Sequence, residues 1–268
     1  MKTRAITGFF FVLVMLASVL TGAYTFSFFY LIIGLLCLIE FYKLVKQENV
    51  NPGRISGLLL ALAIYLPISL HFLTGTSLVN IVVAVPFVSA VFIAELYFKA
   101  PKPFHNIAYT FLGIIFSFIP FCFFQALGFT VGIYNFHFPL SFLLLLWAND
   151  TGAYLFGVKF GKNKLFERHS PKKSWEGFFG GMITSLLVAF ILGTQFTDIP
   201  LVHWAVISLI IVITGTLGDL IESMLKRSLN AKDSGSLLPG HGGVLDRFDG
   251  LLLSAPLVFV YLYLVQIW

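Results

Sequence analysis

Residues 202–227 read VHWAVISLIIVITGTLGDLIESMLKR, an apolar run that admits Asp219 and Glu222 and ends on Lys226-Arg227. A helix needs roughly 18–25 mostly apolar residues to cross a bilayer, and this stretch qualifies. Within it Gly215, Asp219, Glu222 and Lys226 stand at i, i+4, i+7 and i+11, so a helix puts them on one stripe. Apolar stretches of similar length recur along the chain. They predict spans at 6–23, 26–44, 55–73, 78–98, 106–127, 138–157, 178–194, 202–225 and 250–267. The expected fold is all-α: a polytopic membrane protein with about nine transmembrane helices.

Composition supports this. Of 268 residues, 58% are hydrophobic and 11% charged, against about 25% charged in a soluble domain. Too few charges remain to cover a water-facing surface, which excludes a soluble enzyme, a secreted module and a disordered chain. Cys37 and Cys122 lie inside apolar runs with no CxxC or zinc spacing, so no disulfide framework is implied. The net charge of +5 suits anionic lipid or phosphate, or reflects topology alone. Nothing points to nucleic acid.

All 17 Lys and Arg fall before the first span or in the second, fourth, sixth and eighth connections, with Lys43 at the very end of the span that leads into the second; the odd connections, around Gly22, Gly75, Gly132 and Asp198, hold none. Positive charge stays cytoplasmic, so the N-terminus is expected inside and the C-terminus outside. Residues 1–23 have a basic start and an apolar core like a signal peptide. Retention is the expectation, because the apolar run is long and no A-x-A site follows it. The spans leave no room for a soluble domain. Residues 1–137 read as N-terminal membrane helices, and 138–268 as C-terminal helices carrying the site, in one integrated membrane domain. Glu40 and Glu95, beside Lys43 and Lys99 near helix ends, are expected to snorkel.

Polar residues break the apolar pattern from Asn149 onward. Asp150 lies nine residues before Lys159, about 13 Å below the cytoplasmic interface at 1.5 Å per residue. Asp219 lies seven before Lys226, about 10 Å deep. An ionised carboxylate in hydrocarbon costs at least about 2.5–3.5 kcal/mol, so these two require a cavity, an ion pair with Lys or Arg, or a metal. In the sixth connection, Ser170-Pro171-Lys172-Lys173 reads as a helix start with Ser170 as N-cap, a place for phosphate. The bland alternative is a basic loop obeying the positive-inside rule. The eighth connection runs through Lys232-Asp233, Pro239-Gly240-His241-Gly242-Gly243 and Asp246-Arg247 to Asp249. There Asp249 could serve as an N-cap and His241 as an ordinary loop residue. Carboxylates alternating with Lys and Arg suit Mg2+ and phosphates, and no Walker A sequence is present. The residues point to a magnesium-dependent enzyme of phosphorylated lipids, open to the cytoplasm.

Residues Ser223 to Asp249 resemble the signature of phosphatidate cytidylyltransferases, the CDP-diacylglycerol synthases. The match runs through Ser223, Lys226-Arg227, Lys232-Asp233, Gly235, Pro239, His241-Gly242-Gly243, Asp246-Arg247 and Asp249. Asn149-Asp150-Thr151 and the block Ser170 to Gly177 also resemble this family, with Ser174 where Thr is more usual. Together these blocks cover about the last 120 residues; earlier residues match only in hydropathy. The resemblance implies transfer of a cytidylyl group from CTP to phosphatidate, giving CDP-diacylglycerol and pyrophosphate, in phospholipid biosynthesis at a bacterial-type inner membrane. It implies Asp219 and Asp246 as catalytic metal ligands, with Asp249 and Asp150 behind them. Lys226, Arg227, Lys172, Lys173 and Arg247 would hold phosphates, with Asn149 and Ser223 at the substrates. Lys232 and His241 would support the leaving pyrophosphate or the loop. The cofactor is Mg2+, with room for a monovalent cation such as K+, and the resemblance implies a homodimer.

Two rivals follow from the same residues. A CTP-dependent polyprenol kinase would release CDP instead. An ion-coupled transporter would use Asp150, Asp219 and Glu222 for coupling, but the chain shows no repeat and its polar residues gather on one side. The D-G-x2-A-R pattern of CDP-alcohol phosphotransferases is absent.

Overall fold

The structure is a computed structural model that describes residues 2–47, 49–237 and 242–265, with side chains from Gly8 onward. The described residues are almost entirely helical. In chain order they are α1 (Lys2–Leu20), α2 (Ala23–Val45), α3 (Arg54–Thr74), α4 (Ala84–Tyr97), α5 (Pro103–Gly113), α6 (Ile119–Leu127), α7 (His137–Phe160), α8 (Trp175–Gln195), α9 (Leu201–Ser228) and α10 (Leu245–Leu264). A 3-10 turn, Leu78–Val83, leads into α4, and a π-helical segment, Ile114–Phe118, joins α5 to α6.

Among the described residues seven helical runs are long and apolar enough to cross a membrane: Ala23–Val45, Arg54–Thr74, Leu78–Tyr97, Pro103–Leu127, Trp175–Gln195, Leu201–Ser228 and Leu245–Leu264. The apolar part of α1, Gly8–Leu20, is shorter. Helix α7 has the length, but Asn149, Asp150 and Thr151 interrupt it. Large apolar side chains such as Ile55, Val79, Leu96, Phe104 and Leu187 stand exposed on the helices. Water would not tolerate so much bare apolar surface; a hydrocarbon solvent would.

The chain divides into two compact units, residues 1–126 with 233–247, and residues 127–232 with 248–268. In the first, α2 is the buried centre. Tyr30 meets Phe124 at 4.7 Å between ring centroids, and Gly34 lets Phe118 approach closely. Gln125 donates to Ser27 and Ser69 at 2.7 and 2.8 Å, tying α6 to α2 and α3. Cys37 and Cys122 are buried free thiols.

Two sequence expectations fail in this unit. Glu40 and Glu95 do not snorkel: they are 5% and 9% exposed. Protein donors replace water at both, Asn106 at Glu95 (3.1 Å) and the Leu245 N–H at Glu40 (2.9 Å).

In the second unit α7 and α8 lie almost in backbone contact, because glycines line their crossing. A Cβ on Gly177 would stand 2.8 Å from the Ala153 carbonyl oxygen, and one on Gly181 2.7 Å from that of Asn149. Ser208 donates to Ser185, which donates to the Leu145 carbonyl (3.0 and 3.1 Å), joining α9 to the pair.

Between α7 and α8 the chain forms a two-stranded antiparallel ribbon, β1 (Lys164–Phe166) and β2 (Ser170–Ser174), with Lys164 opposite Ser174. The expected helix start at Ser170 is thus displaced: α8 begins at Trp175, and its N-cap is Ser174, whose hydroxyl accepts the Gly177 N–H at 3.2 Å. Pro171, lacking an N–H, is tolerated on the open ribbon. Glu176, in the first turn of α8, accepts the backbone N–H of Lys162 and Asn163 (both 3.1 Å) and the Asn163 amide (2.7 Å). That fastens the ribbon to the helix.

Candidate active site

Four elements of the second unit bring polar groups to one place. Helix α7 contributes Asn149 and Asp150, β2 contributes Lys172 and Lys173, α9 contributes Thr216 and Asp219, and α10 contributes Asp249. Asp219 and Asp249 each sit beside a glycine that permits a close crossing. A Cβ on Gly218 would collide with the Asp249 carbonyl oxygen, and one on Gly250 would lie 2.8 Å from Leu146 of α7. Bulkier residues would part the helices and spread the carboxylates.

A cavity of about 300 Å³ opens here, lined by Asn149, Asp150, Ala153, Tyr154, Gly157, Leu165, Lys172, Lys173, Ser174, Gly177, Phe178, Thr216 and Asp219. That volume is at the lower end of ligand sites, about 300–1,000 Å³. A larger cavity of about 670 Å³ lies in the first unit and is lined by Arg54, Glu95 and Lys99 among others; no carboxylate of α7 or α9 lines it.

The ammonium of Lys173 lies 2.6 Å from Asp219 Oδ2, both side chains about one-third exposed, and Ser223 donates to Asp219 Oδ1 at 3.2 Å. Asp249 lies within electrostatic reach of Asp219, Asp150 and Lys173, and its Oδ1 accepts the Gly250 N–H at 2.6 Å. Asn149 is 3% exposed, and its Oδ1 has no hydrogen-bond partner. An orphaned buried oxygen is a costly arrangement unless something else coordinates it, and this one faces α8 at Gly181, where a Cβ would stand 2.5 Å from it.

These oxygens fit a hard cation. Among the described residues no three His, Cys, Asp or Glu side chains converge into a ready-made metal cage. Mg2+ does not require one: it is usually held by one or two carboxylates together with water and substrate phosphates.

The other described residues read from the sequence do not line this cavity. On α9, Lys226 pairs with the fully buried Glu222 at 2.5 Å, and Arg227 is exposed with a 3.3 Å contact to the Ala231 carbonyl. Lys232 is exposed. His241 lies outside the described residues. Asp246 and Arg247 belong to the first unit. There Asp246 Oδ2 accepts the N–H of Ser234 (3.0 Å) and of Gly243 (2.8 Å), while Arg247 is exposed. Asp249 is not an N-cap, since α10 begins at Leu245 and carries both aspartates within its first two turns.

Sequence reading passed over Tyr154, Thr216 and Phe178. Tyr154 follows Asp150 by four residues and Thr216 precedes Asp219 by three, so helical spacing could have found both. Nothing in the sequence marks Phe178.

A profile of the cytidylyltransferase family matches residues 2–265. The chain belongs to the cytidylyltransferase family. Its relatives include a protein of Bacillus subtilis (strain 168) named phosphatidate cytidylyltransferase, 33% identical over 266 residues, covering 98% of each chain. Proteins of the same name from Staphylococcus haemolyticus and Staphylococcus aureus (strain COL) are each 35% identical over 265 residues, covering 98% of this chain and 99% of theirs. Because the similarity runs the whole length, this membrane enzyme shares with its family the N-terminal helices that motif reading left generic.

Proposed function

We propose that this chain is an integral membrane phosphatidate cytidylyltransferase that makes CDP-diacylglycerol and pyrophosphate from CTP and phosphatidate, with Mg2+, at the cytoplasmic face of a bacterial inner membrane. The observation that carries the reading is the convergence of Asn149 and Asp150 of α7, Asp219 of α9 and Asp249 of α10 with Lys172 and Lys173 of β2, in a cytidylyltransferase.

In the proposed reaction a phosphate oxygen of phosphatidate attacks the α-phosphorus of CTP. The bond from that phosphorus to the bridging oxygen of the β-phosphate breaks, and pyrophosphate leaves with the electron pair. No covalent enzyme intermediate is required; positioning and charge neutralisation carry the rate. Asp219, Asp249 and Asp150, with the orphaned Asn149 oxygen, would hold the cation. Mg2+ would supply positive charge to the triphosphate. Lys173 is the counter-ion Asp219 would give up on loading, which frees its ammonium for a phosphate oxygen beside Lys172. Ser223 would keep Asp219 oriented. Asp246, held by backbone N–H groups, belongs to the same reading as a further ligand, with Arg247, Lys226, Arg227, Lys232 and His241 serving the phosphates.

The placement of all 17 basic residues at the N-terminus or at alternate connections supports a cytoplasmic site, where CTP is found. The monovalent second cation and the homodimer are carried with this reading; light scattering in detergent checks the dimer. Purified protein in mixed micelles with CTP, phosphatidate and Mg2+ is expected to release pyrophosphate only when phosphatidate is present. Release of CDP instead would make it a lipid kinase, and nucleotide-independent ion uptake in proteoliposomes would make it a transporter.

A further inference from the structure

Among the described residues the most deeply buried carboxylate of the first unit is Glu40, on α2. It is 5% exposed, yet its partners come from the connection 233–247, about two hundred positions along the chain. Its Oε2 accepts the Leu245 N–H at 2.9 Å and the Ser234 hydroxyl at 3.3 Å. Leu245 opens α10, and the first N–H groups of a helix have no partner within it. Glu40 therefore caps α10 from another helix, with negative charge at the positive end of the helix dipole. Asp246 completes the clamp through the N–H groups of Ser234 and Gly243. Two glycines make room for it. A Cβ on Gly235 would stand 2.6 Å from Glu40 Oε1, and one on Gly243 2.5 Å from Oε2.

We propose that Glu40 is a positioning residue: it sets the start of α10 and, through it, the place of Asp246. Glu40 touches no reacting atom; its effect reaches the chemistry only through the connection it grips. The kinetic part of this inference rests on the proposed function, whereas the clamp itself does not.

The test uses the full-length protein in detergent and reads two things. One is amide hydrogen exchange in peptides covering 234–237 and 242–247, with α7–α9 peptides as the fold control. The other is the Mg2+ concentration for half-maximal pyrophosphate release, which loss of folded protein alone does not move. Glu40→Ala is expected to speed exchange in both loop peptides by roughly 10-fold or more while α7–α9 keep wild-type protection. It should also raise the half-saturating Mg2+ several-fold. Glu40→Gln keeps an acceptor oxygen and should stay within about threefold of wild type. Gly235→Ala, which pushes against the carboxylate, should mimic Glu40→Ala. Added to Glu40→Ala, where the space has been vacated, it should change loop exchange by less than about twofold. Wild-type loop exchange or unchanged Mg2+ dependence in Glu40→Ala overturns the proposal. So does a Glu40→Gln variant as impaired as Glu40→Ala, or full additivity of the two alanine substitutions. A wild-type protein that makes no pyrophosphate from CTP and phosphatidate overturns the proposed function instead, and leaves the exchange comparison to decide the clamp.

Discussion

Asp219 and Glu40 are both acidic residues on apolar helices, and their surroundings differ in kind. Asp219 is about one-third exposed to a cavity and faces the flexible ammonium of Lys173. Glu40 is sealed, and its partners are a backbone N–H and a short hydroxyl. A lysine can swing away and leave its carboxylate free for another cation, because its long stem has many rotamers. A backbone N–H at a helix start cannot leave without moving the helix. The same functional group therefore has a displaceable partner in one unit and a fixed one in the other, and the nature of the donor decides which role is open to it.

The sharpest way to break this contrast is Asp219→Asn. Losing the charge at the cavity should lower turnover by at least about 10²–10³-fold, while thermal unfolding in detergent changes little, because the partner is solvent-accessible. A protein that keeps its activity, or that unfolds, would put Asp219 in the same class as Glu40. A smaller effect is expected for Asn149→Ala. Its Oδ1 makes no hydrogen bond to the protein, so its removal should barely alter stability, yet a Mg2+ titration should shift several-fold towards higher concentration. An unshifted titration with a lowered unfolding temperature would make Asn149 a packing residue. The smallest effect belongs to Lys43→Ala, three residues beyond Glu40 but exposed. Turnover should be unchanged, and stability should stay within about 0.5 kcal/mol. A large loss would mean that the whole end of α2, rather than the Glu40 carboxylate, governs the neighbouring loop.

Much of this was legible beforehand because hydrocarbon is an unforgiving solvent. Within the described residues the nine apolar stretches fall on helical runs, of which seven are long and apolar enough to cross. Asp150 and Asp219 stood out because a carboxylate in an apolar run must have a reason, and they line one cavity together with Lys172, Lys173 and Asn149. Reading failed where local signals compete. Ser170-Pro171 carries a sound helix-start pattern, but Ser174 supplies the cap and the preceding residues pair as a ribbon. Asp249 resembled an N-cap, but α10 opens at Leu245, whose N–H is met by Glu40 of α2. Glu40 and Glu95 looked like snorkelling residues because charge near a helix end is cheap when water is the partner, and the sequence does not show what faces them.

The amino-acid order alone determined the solvent of this chain, its helices and the stripe that carries Asp219, since apolar length and the 3.6-residue period are local properties. Pairings were left to the tertiary structure: Lys173 with Asp219 across 46 positions, and Glu40 with Leu245 across 205. A charge announces itself in a sequence, but its donor is chosen by helix packing, and close packing at glycines such as Gly218 and Gly235 depends on neighbours far away in the chain.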